Sequence, residues 1–263
     1  MASPDSPVQD GLVVAKPQTV EDFAANLRAV NARIAAAAER AGRNPDEVRL
    51  LPVSKTVPEE RLRLAIAAGC HTLAENKVQE AKRKHENLVD EDVAWAMVGH
   101  LQTNKAKDVA AFATEFQALD STRLARALDR RLETARRRLD VFVQVNTSAE
   151  ESKYGLPPER TIEFLRAVRH FPTLNVRGLM TLAVFSSDVE RVRACFALLR
   201  HLRDEARDVD PELLGSGELS MGMSGDYEIA IEEGATVVRV GQAIFGPRPL
   251  PDSHYWPSAP PRH

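Results

Sequence analysis

Apolar residues near the start of the chain recur at intervals of three and four positions, which is the spacing of an amphipathic helix. The positions that follow this spacing are Val20, Phe23, Leu27, Val30 and Ile34. Thr19 precedes the pattern and is a typical helix cap, whereas Gly42 and Pro45 follow it and are typical of a helix end. We therefore predict a helix that begins after Thr19 and ends near Gly42.

Beyond this helix, short apolar runs alternate with helical patterns. The runs are typical of strands and cover residues 48–54, 71–74, 94–98, 116–119, 141–145, 176–180, 219–221 and 237–240. Helical patterns lie between them, two of them with Ser121 and Ser187 as predicted caps. Because such alternation predicts a parallel sheet, and eight β/α units close a barrel, the predicted fold class is α/β. It is a single (β/α)8 TIM-like barrel with an extra N-terminal helix.

Two segments lie outside this alternation. Residues 1–17 mix Ser, Pro, Asp and Gly without periodicity, which predicts a flexible leader. Residues 248–263 are rich in Pro and are predicted to form a tail over the surface. The barrel domain is therefore assigned to residues 18–247.

Composition and charge narrow the classes of function. The 263 residues are 43% hydrophobic and 28% charged, the balance of a globular protein with a sizeable core. The net charge of −3 provides no positive field, so neither nucleic acid nor an anionic membrane is an expected partner. Two cysteines without a CxxC motif, and the absence of a signal-peptide pattern, indicate the cytoplasm.

Several other ionisable residues are candidates for separate binding sites. Arg136, Arg137 and Arg138 end a helical pattern, where a solvated helix terminus is the favoured interpretation and an anion-binding patch is the alternative. Lys153 is interpreted as a solvated charge beside Glu150 and Glu151, and a transient second aldehyde site is the alternative. The histidines show no metal-ligand pairing with Cys or acidic residues, so no metal site is predicted.

The chemistry of such barrels lies at the carboxyl ends of the strands. Polar residues and glycines follow the predicted strands at this face: Lys55, Asn76, Gly99, His100, Asn146, Thr147, Thr181, the segment 220–226, Arg239 and Gly241. Their convergence predicts a small-molecule site.

Lys55 is the most informative of these residues. It directly follows an apolar strand, and burial makes a lysine amine a nucleophile toward carbonyl groups by disfavouring its charged form. The alternative is a lysine whose stem lies along the barrel while its amine reaches solvent.

A Gly- and Ser-rich turn complements Lys55. In the run Leu219-Ser-Met-Gly-Met-Ser-Gly-Asp226, backbone N–H groups and hydroxyls can hold a phosphate, and Val238-Arg-Val-Gly241 supplies a second glycine. Barrels commonly bind phosphate with the loops after strands seven and eight. Taken alone, the run is as easily an ordinary turn. Together with Lys55, it predicts a phosphorylated aldehyde as the ligand.

These features extend to a set of ordered motifs. They are Val53-Ser-Lys-Thr56, Glu75-Asn-Lys-Val-Gln-Glu80, Gly99-His-Leu-Gln-Thr-Asn-Lys105, Val145-Asn-Thr-Ser148, Glu151-Ser-Lys153, Gly178-Leu-Met-Thr181, the Gly/Ser turn and Val238-Arg-Val-Gly241. From about Ala25 to Pro247 the chain resembles the pyridoxal phosphate homeostasis protein family, which is similar in fold to the barrel domain of alanine racemase. It departs from that family at Ala74, where Gly is usual, and at Ala96, where His is common.

The resemblance implies the ligand and the role of each site residue. It implies that Lys55 holds pyridoxal 5′-phosphate (PLP) as a Schiff base and that Asn76 lies beside the ring. It implies that Arg239 faces the pyridine nitrogen. It implies that the phosphate is held by Ser224, Gly241 and Gln242. Asn76 and Arg239 could equally be ordinary strand-end residues bonded to loops.

Three classes of function remain to be weighed. A PLP-dependent racemase, or a related fold-type III enzyme, needs an electron sink and a base on each face of the substrate. Arg239 would disfavour a protonated pyridine nitrogen, and Tyr255, in the short segment after Gly246, is a poor general base without a supporting scaffold. A purely structural module leaves Lys55 and the phosphate turn unexplained. The sequence therefore predicts a non-catalytic PLP carrier in vitamin B6 homeostasis, with PLP-dependent apoenzymes as candidate partners.

Overall fold

The structure is a computed structural model that describes residues 16–150 and 153–247. Within these ranges the strands are β1 (Arg49–Pro52), β2 (Thr72–Glu75), β3 (Ala94–Met97), β4 (Glu115–Leu119), β5 (Leu139–Gln144), β6 (Leu174–Met180), β7 (Glu218–Ser220) and β8 (Val237–Val240). All pair in parallel, in the order β1-β8-β7-β6-β5-β4-β3-β2. The predicted tail, Tyr255 included, and the predicted leader up to residue 15 lie outside the described residues.

The sheet closes on itself between β1 and β2. Val53 and Ala74 form a parallel bridge just beyond β1, and the N–H of Ser54 donates to the carbonyl of Ala74 at 2.9 Å. Ala74, one of the two departures from the family pattern, is fully buried at this seam. The predicted (β/α)8 TIM-like barrel is confirmed.

Helices surround the sheet. The described ranges contain α1 (Val20–Arg40), α2 (Glu59–Ala67), α3 (Val78–Asn87), α4 (Ala106–Phe112), α5 (Thr122–Ala135), α6 (Thr161–Val168), α7 (Val189–Val209), α8 (Tyr227–Glu232) and α9 (Gln242–Phe245). The sequence pattern did not predict α9, because four residues are too few to show a helical period. Single 3₁₀ turns, Thr103–Lys105 and Pro158–Arg160, directly precede α4 and α6.

The strands are covered on both faces, as parallel strands in barrels are. All four residues of β8 are buried, and Trp95, Phe116 and Phe142 on other strands are almost fully excluded from solvent. This two-sided burial explains why the strands read in the sequence as continuous apolar runs.

The extra N-terminal helix is confirmed and packs beside the last β/α unit. The Thr19 hydroxyl accepts the N–H of Asp22 at 3.1 Å, and the Asp22 carboxylate accepts the N–H of Thr19 at 3.0 Å. Further along α1, the Asn26 amide donates to the Ile244 carbonyl at 3.0 Å, and Phe23 meets Phe245 edge to face. Helix α1 therefore fixes α9, which follows directly after Gly241.

The predicted cap of α7 is wrong. Ser187 lies one residue too early, and Asp188 caps the helix instead. Its carboxylate accepts the N–H groups of Glu190 and Arg191 at 3.1 and 3.3 Å. A carboxylate satisfies two exposed helix donors and its charge suits the positive end of the helix dipole.

The favoured interpretation of the basic run is wrong for Arg137. Its guanidinium donates to the carbonyls of Ala110, Phe112 and Ala113 at 2.6, 3.3 and 2.8 Å. These carbonyls lie at the end of α4, so Arg137 caps a neighbouring helix from the end of α5. The Arg137 donors that an anion patch would use are therefore occupied by backbone carbonyls.

Within residues 16–150 and 153–247, no helix combines the length and the hydropathy needed to cross a membrane.

Candidate functional site

The site residues predicted from the sequence lie at the carboxyl ends of the strands. Lys55 and Asn76 are half-buried and follow β1 and β2, the two strands at the seam. The backbone after β3 approaches Asn76 so closely that a Cβ on Gly99 would lie 2.2 Å from the Asn76 carbonyl oxygen. Only glycine fits at position 99. The backbone after β3 therefore packs directly against Asn76 at the mouth of the barrel.

The turn after β7 is closed by its own backbone and by Asp226. The Asp226 carboxylate accepts the N–H of Met223 at 2.5 Å, and the Met223 carbonyl accepts the N–H groups of Asp226 and Tyr227 at 3.0 and 2.9 Å. Gly222 has φ +91°, and a Cβ there would lie 2.7 Å from the Ala230 side chain. Asp226 and Gly222 therefore fix the turn that presents Ser224.

Ser224 meets the end of β8 directly. The N–H of Gly241 points to the Ser224 hydroxyl oxygen at 3.4 Å, and Gln242 is the next residue, the first of α9. A Cβ on Gly241 would lie 3.0 Å from the Val53 carbonyl, which brings this corner against the strand that leads to Lys55. A Cβ on Gly225 would meet nothing within 4 Å. We call Ser224, Gly225, Gly241 and Gln242 the anion cup.

The anion cup has the chemistry that a phosphate requires. It combines a hydroxyl with backbone N–H groups, and its open side lies at Gly225, where a Cβ would fill empty space. Phosphate oxygens are bound in proteins by such converging backbone and hydroxyl donors. The residues present therefore fit a phosphate group.

Arg239 lies on β8, below the anion cup, and is only 4% exposed. One terminal nitrogen donates to the Ser220 hydroxyl at 2.6 Å and the other to the Thr181 carbonyl at 2.8 Å. Burial lowers the pKa of Arg239 to about 10, against the opposing charge of Asp226. The guanidinium is therefore still a cation near neutral pH.

A polar chain holds Arg239 in place. The Ser220 hydroxyl donates to the Gln117 side chain at 2.6 Å, so β7 and β4 are linked across the barrel interior. The Thr181 hydroxyl donates to the Val145 carbonyl at 2.8 Å and contacts the Thr147 hydroxyl at 2.9 Å. Sequence reasoning missed Gln117, because a lone polar residue in an apolar run does not reveal its partner.

A second buried polar group was also missed, next to Lys55. Lys84 on α3 is fully buried, and its ammonium donates to the Ser54 carbonyl at 2.9 Å and to the Glu75 and Glu80 carboxylates at 2.7 Å each. We call Glu75, Glu80 and Lys84 the Lys84 cluster. Glu80 and Lys84 stand four residues apart in the sequence, a visible signal, but such pairs usually lie on solvated helix faces.

The charges of the Lys84 cluster respond differently to burial. Burial raises the pKa of Glu75, although the positive charge of Lys84 opposes the change. Burial also acts to raise the pKa of Glu80, but the hydrogen bond and charge of Lys84 outweigh it, so this pKa is lowered. Glu80 is therefore the firmly ionised partner of Lys84.

Loops from three further strands complete the mouth. The His100 and Tyr154 rings, after β3 and β5, stack with centroids 4.0 Å apart. The interpretation of Lys153 as a solvated charge is wrong. Its side chain is 5% exposed, pairs with Glu150 and donates to the Ala183 carbonyl at 2.8 Å. The loop after β6 buries this lysine, and a sequence pattern cannot show that contact.

Comparison with known proteins agrees with this architecture. Residues 25–249 match the family described as alanine racemase, N-terminal domain. The pyridoxal phosphate homeostasis protein of Aquifex aeolicus is 42% identical over 223 residues, covering 84% of this chain and 96% of the relative. Its namesake from Pseudomonas aeruginosa is 40% identical over 226 residues, covering 86% and 96%. The structure of PipY from Synechococcus elongatus PCC7942 with PLP bound has a TM-score of 0.75 and 33% identity, and covers 85% of this chain and 100% of PipY.

The enclosed carboxyl of Asp226 makes stability depend on pH. Burial raises its pKa above the ordinary 3.8, although the Met223 N–H and the charge of Arg239 act in the opposite direction. Between the unfolded and folded pKa values the folded protein binds more protons, so stability is lost as pH rises through this window. The Asp226→Asn variant cannot ionise but keeps an acceptor for Met223.

We expect the free energy of unfolding of Asp226→Asn, measured in urea, to fall less between about pH 4 and pH 8 than that of the unmodified protein. The difference in slope is at most about 1.4 kcal/mol per pH unit. Asp92→Asn, at an exposed residue, is the matched control and should keep the unmodified slope. Identical slopes for Asp226→Asn and the unmodified protein would contradict the burial of this carboxyl.

Proposed function

The chain belongs to the family of pyridoxal phosphate homeostasis proteins, and from that premise we propose that it holds PLP as a Schiff base on Lys55 without appreciable catalysis. The observation that carries this proposal is the contact between Ser224 and Gly241 at the same barrel mouth as Lys55. A phosphorylated aldehyde satisfies both features. The proposed role is to supply or buffer the cofactor in vitamin B6 homeostasis.

The anion cup holds the phosphate in this proposal. Ser224 donates through its hydroxyl, Gly241 through its backbone N–H, and Gln242 stands at the first position of α9 beside them. The PLP-bound structure of PipY, which shares the fold over its full length, supports PLP as the ligand. When bound, the cofactor supplies an aldehyde whose carbon the Lys55 amine attacks, with a C=N bond formed and water released.

In the proposed site, Arg239 lies below the ligand and Asn76 lies beside it. Arg239 is already held by Ser220 and Thr181, so its guanidinium is a fixed cation that can face the pyridine nitrogen. A second positive charge beside it is repelled, so the ring nitrogen stays unprotonated. An unprotonated ring is a weaker electron sink, which supports a carrier over a racemase.

The receiving partners in this proposal are apoenzymes that need PLP, and the compartment is the cytoplasm. The barrel mouth is bounded by exposed groups such as Phe185, in the loop after β6. A carrier must release its cargo, and a Schiff base is reversible by hydrolysis, so the linkage through Lys55 suits storage followed by transfer.

The first expectation concerns the attachment point. Incubation with PLP, reduction with borohydride and peptide mass mapping should place the pyridoxyl group on Lys55. Lys55→Ala should lose the visible absorption band of the Schiff base and keep its thermal unfolding transition, because the side chain ends in the barrel mouth. A label found mainly on Lys153 or Lys105 would show that another lysine carries the cofactor.

A second expectation concerns the phosphate. Unphosphorylated pyridoxal should bind far more weakly than PLP, because charge-assisted hydrogen bonds contribute about 1.5–3 kcal/mol each. Ser224→Ala should weaken PLP by about 10- to 150-fold and leave pyridoxal nearly unchanged. Absorption titrations measure both ligands. Equal affinities for PLP and pyridoxal would exclude the anion cup as the phosphate site.

The third expectation is the lack of turnover. With common amino acids, loss of optical activity and α-proton exchange in deuterated buffer should stay well below enzyme-like rates of about 1 per second. Arg239→Glu should favour a protonated ring and weaken binding of the anionic cofactor, yet it should not give efficient racemisation, because a second base is still required. Rapid exchange by the unmodified protein would make it a PLP-dependent racemase or a related enzyme.

A further inference from the structure

The Lys84 cluster contains the most completely buried charges near the site. Lys84 and Glu75 are both 0% exposed. Burying an ion pair is expensive, and apolar residues of similar volume often serve stability as well or better. Stability therefore does not by itself explain why a lysine and a glutamate occupy these positions.

What the cluster binds is the backbone on either side of Lys55. Lys84 has no role at the mouth itself, because its ammonium donates to the Ser54 carbonyl. Beside it, Glu75 accepts the Ser54 hydroxyl at 2.6 Å. On the other side, Glu80 accepts the N–H of Thr56 at 2.8 Å. Three separate hydrogen bonds thus tie the residues before and after Lys55 to one buried group.

Thr56 shows why such anchoring is needed. Its φ is +67°, in the left-handed region, which β-branched residues rarely adopt. Conformations of this kind persist only where surrounding interactions hold them. The Glu80 carboxylate supplies such an interaction directly at the Thr56 N–H.

We propose that Glu75, Glu80 and Lys84 are positioning residues that fix the Ser54–Thr56 backbone and so aim the Lys55 amine into the barrel mouth. This inference rests on the proposed function, because it assigns a support to the lysine that carries the cofactor. Lys84 is not a second attachment point. All three N–H groups of its ammonium are occupied by acceptors within the protein, whereas a nucleophilic amine needs a free lone pair.

The test separates aiming of Lys55 from binding of the phosphate. PLP engages both Lys55 and the anion cup, whereas pyridoxine 5′-phosphate, an alcohol, cannot form the covalent link and engages only the cup. Glu80→Ala should weaken PLP by about tenfold or more and slow borohydride-trapped labelling of Lys55. It should leave the affinity for pyridoxine 5′-phosphate within about twofold. Equal loss of both ligands, or loss of neither, would overturn the proposal.

Two further variants sharpen this result. Glycine adopts positive φ without a steric penalty, so Thr56→Gly in the Glu80→Ala background should restore most of the affinity for PLP. A double variant no better than Glu80→Ala would contradict the role of Thr56. Glu86→Ala, at an exposed glutamate on the same helix α3, is the matched control and should bind both ligands like the unmodified protein.

The outcomes also separate this inference from the proposed function. If the unmodified protein takes no label on Lys55 from PLP, the proposed function fails. If the label is on Lys55 and Glu80→Ala matches the unmodified protein in affinity and labelling rate, only the positioning role fails.

Discussion

The ammonium group of Lys84 is closed off from water, and its three donors end on the Ser54 carbonyl and on the Glu75 and Glu80 carboxylates. A buried cation must have its donors paired, because each unpaired one carries a desolvation penalty. That requirement draws α3 against the end of β1 at the seam of the barrel. In the positioning role proposed for the Lys84 cluster, the conformation of the chain around Lys55 rests on this interaction.

The need to pair the donors of a buried cation also shapes the β8 side of the site. Arg239 is buried on β8, and its donors are paired with Ser220 and Thr181, which in turn engage neighbouring strands. Two buried cations thus lie at the strand ends of the barrel. Lys84 donates to the Ser54 carbonyl, one residue before Lys55, and Arg239 is held between Ser220 and Thr181.

The third part of the site is the anion cup, which is held by glycines and by helix α1. Gly222 allows the turn after β7 to approach its neighbours more closely than a Cβ permits, and Gly241 lies in tight contact with the Val53 carbonyl. Helix α1 holds α9 through Asn26 and Phe23. The anion cup is therefore packed against its neighbours on one side and open at Gly225, the geometry suited to a group that enters from solvent.

The amino-acid sequence by itself determined the barrel, the N-terminal helix and the strand-end positions of Lys55, Ser224 and Arg239. Apolar runs, helical spacing and glycines are local signals, and the physical chemistry that produces strands, helices and turns from them is also local. Boundaries shifted by one or two residues, as with the cap at Asp188 in place of Ser187, because competing cap residues differ little in energy.

Only the tertiary structure decided which polar residues meet. Lys84, Arg137 and Lys153 look alike in a sequence, as lysines and arginines on helices or loops. In the fold one anchors the backbone around Lys55, one caps α4, and one is buried under the loop after β6. The backbone carbonyls to which they donate lie between 24 and 30 residues away along the chain. Whether a charge is solvated or buried depends on such distant segments, and no local pattern encodes it.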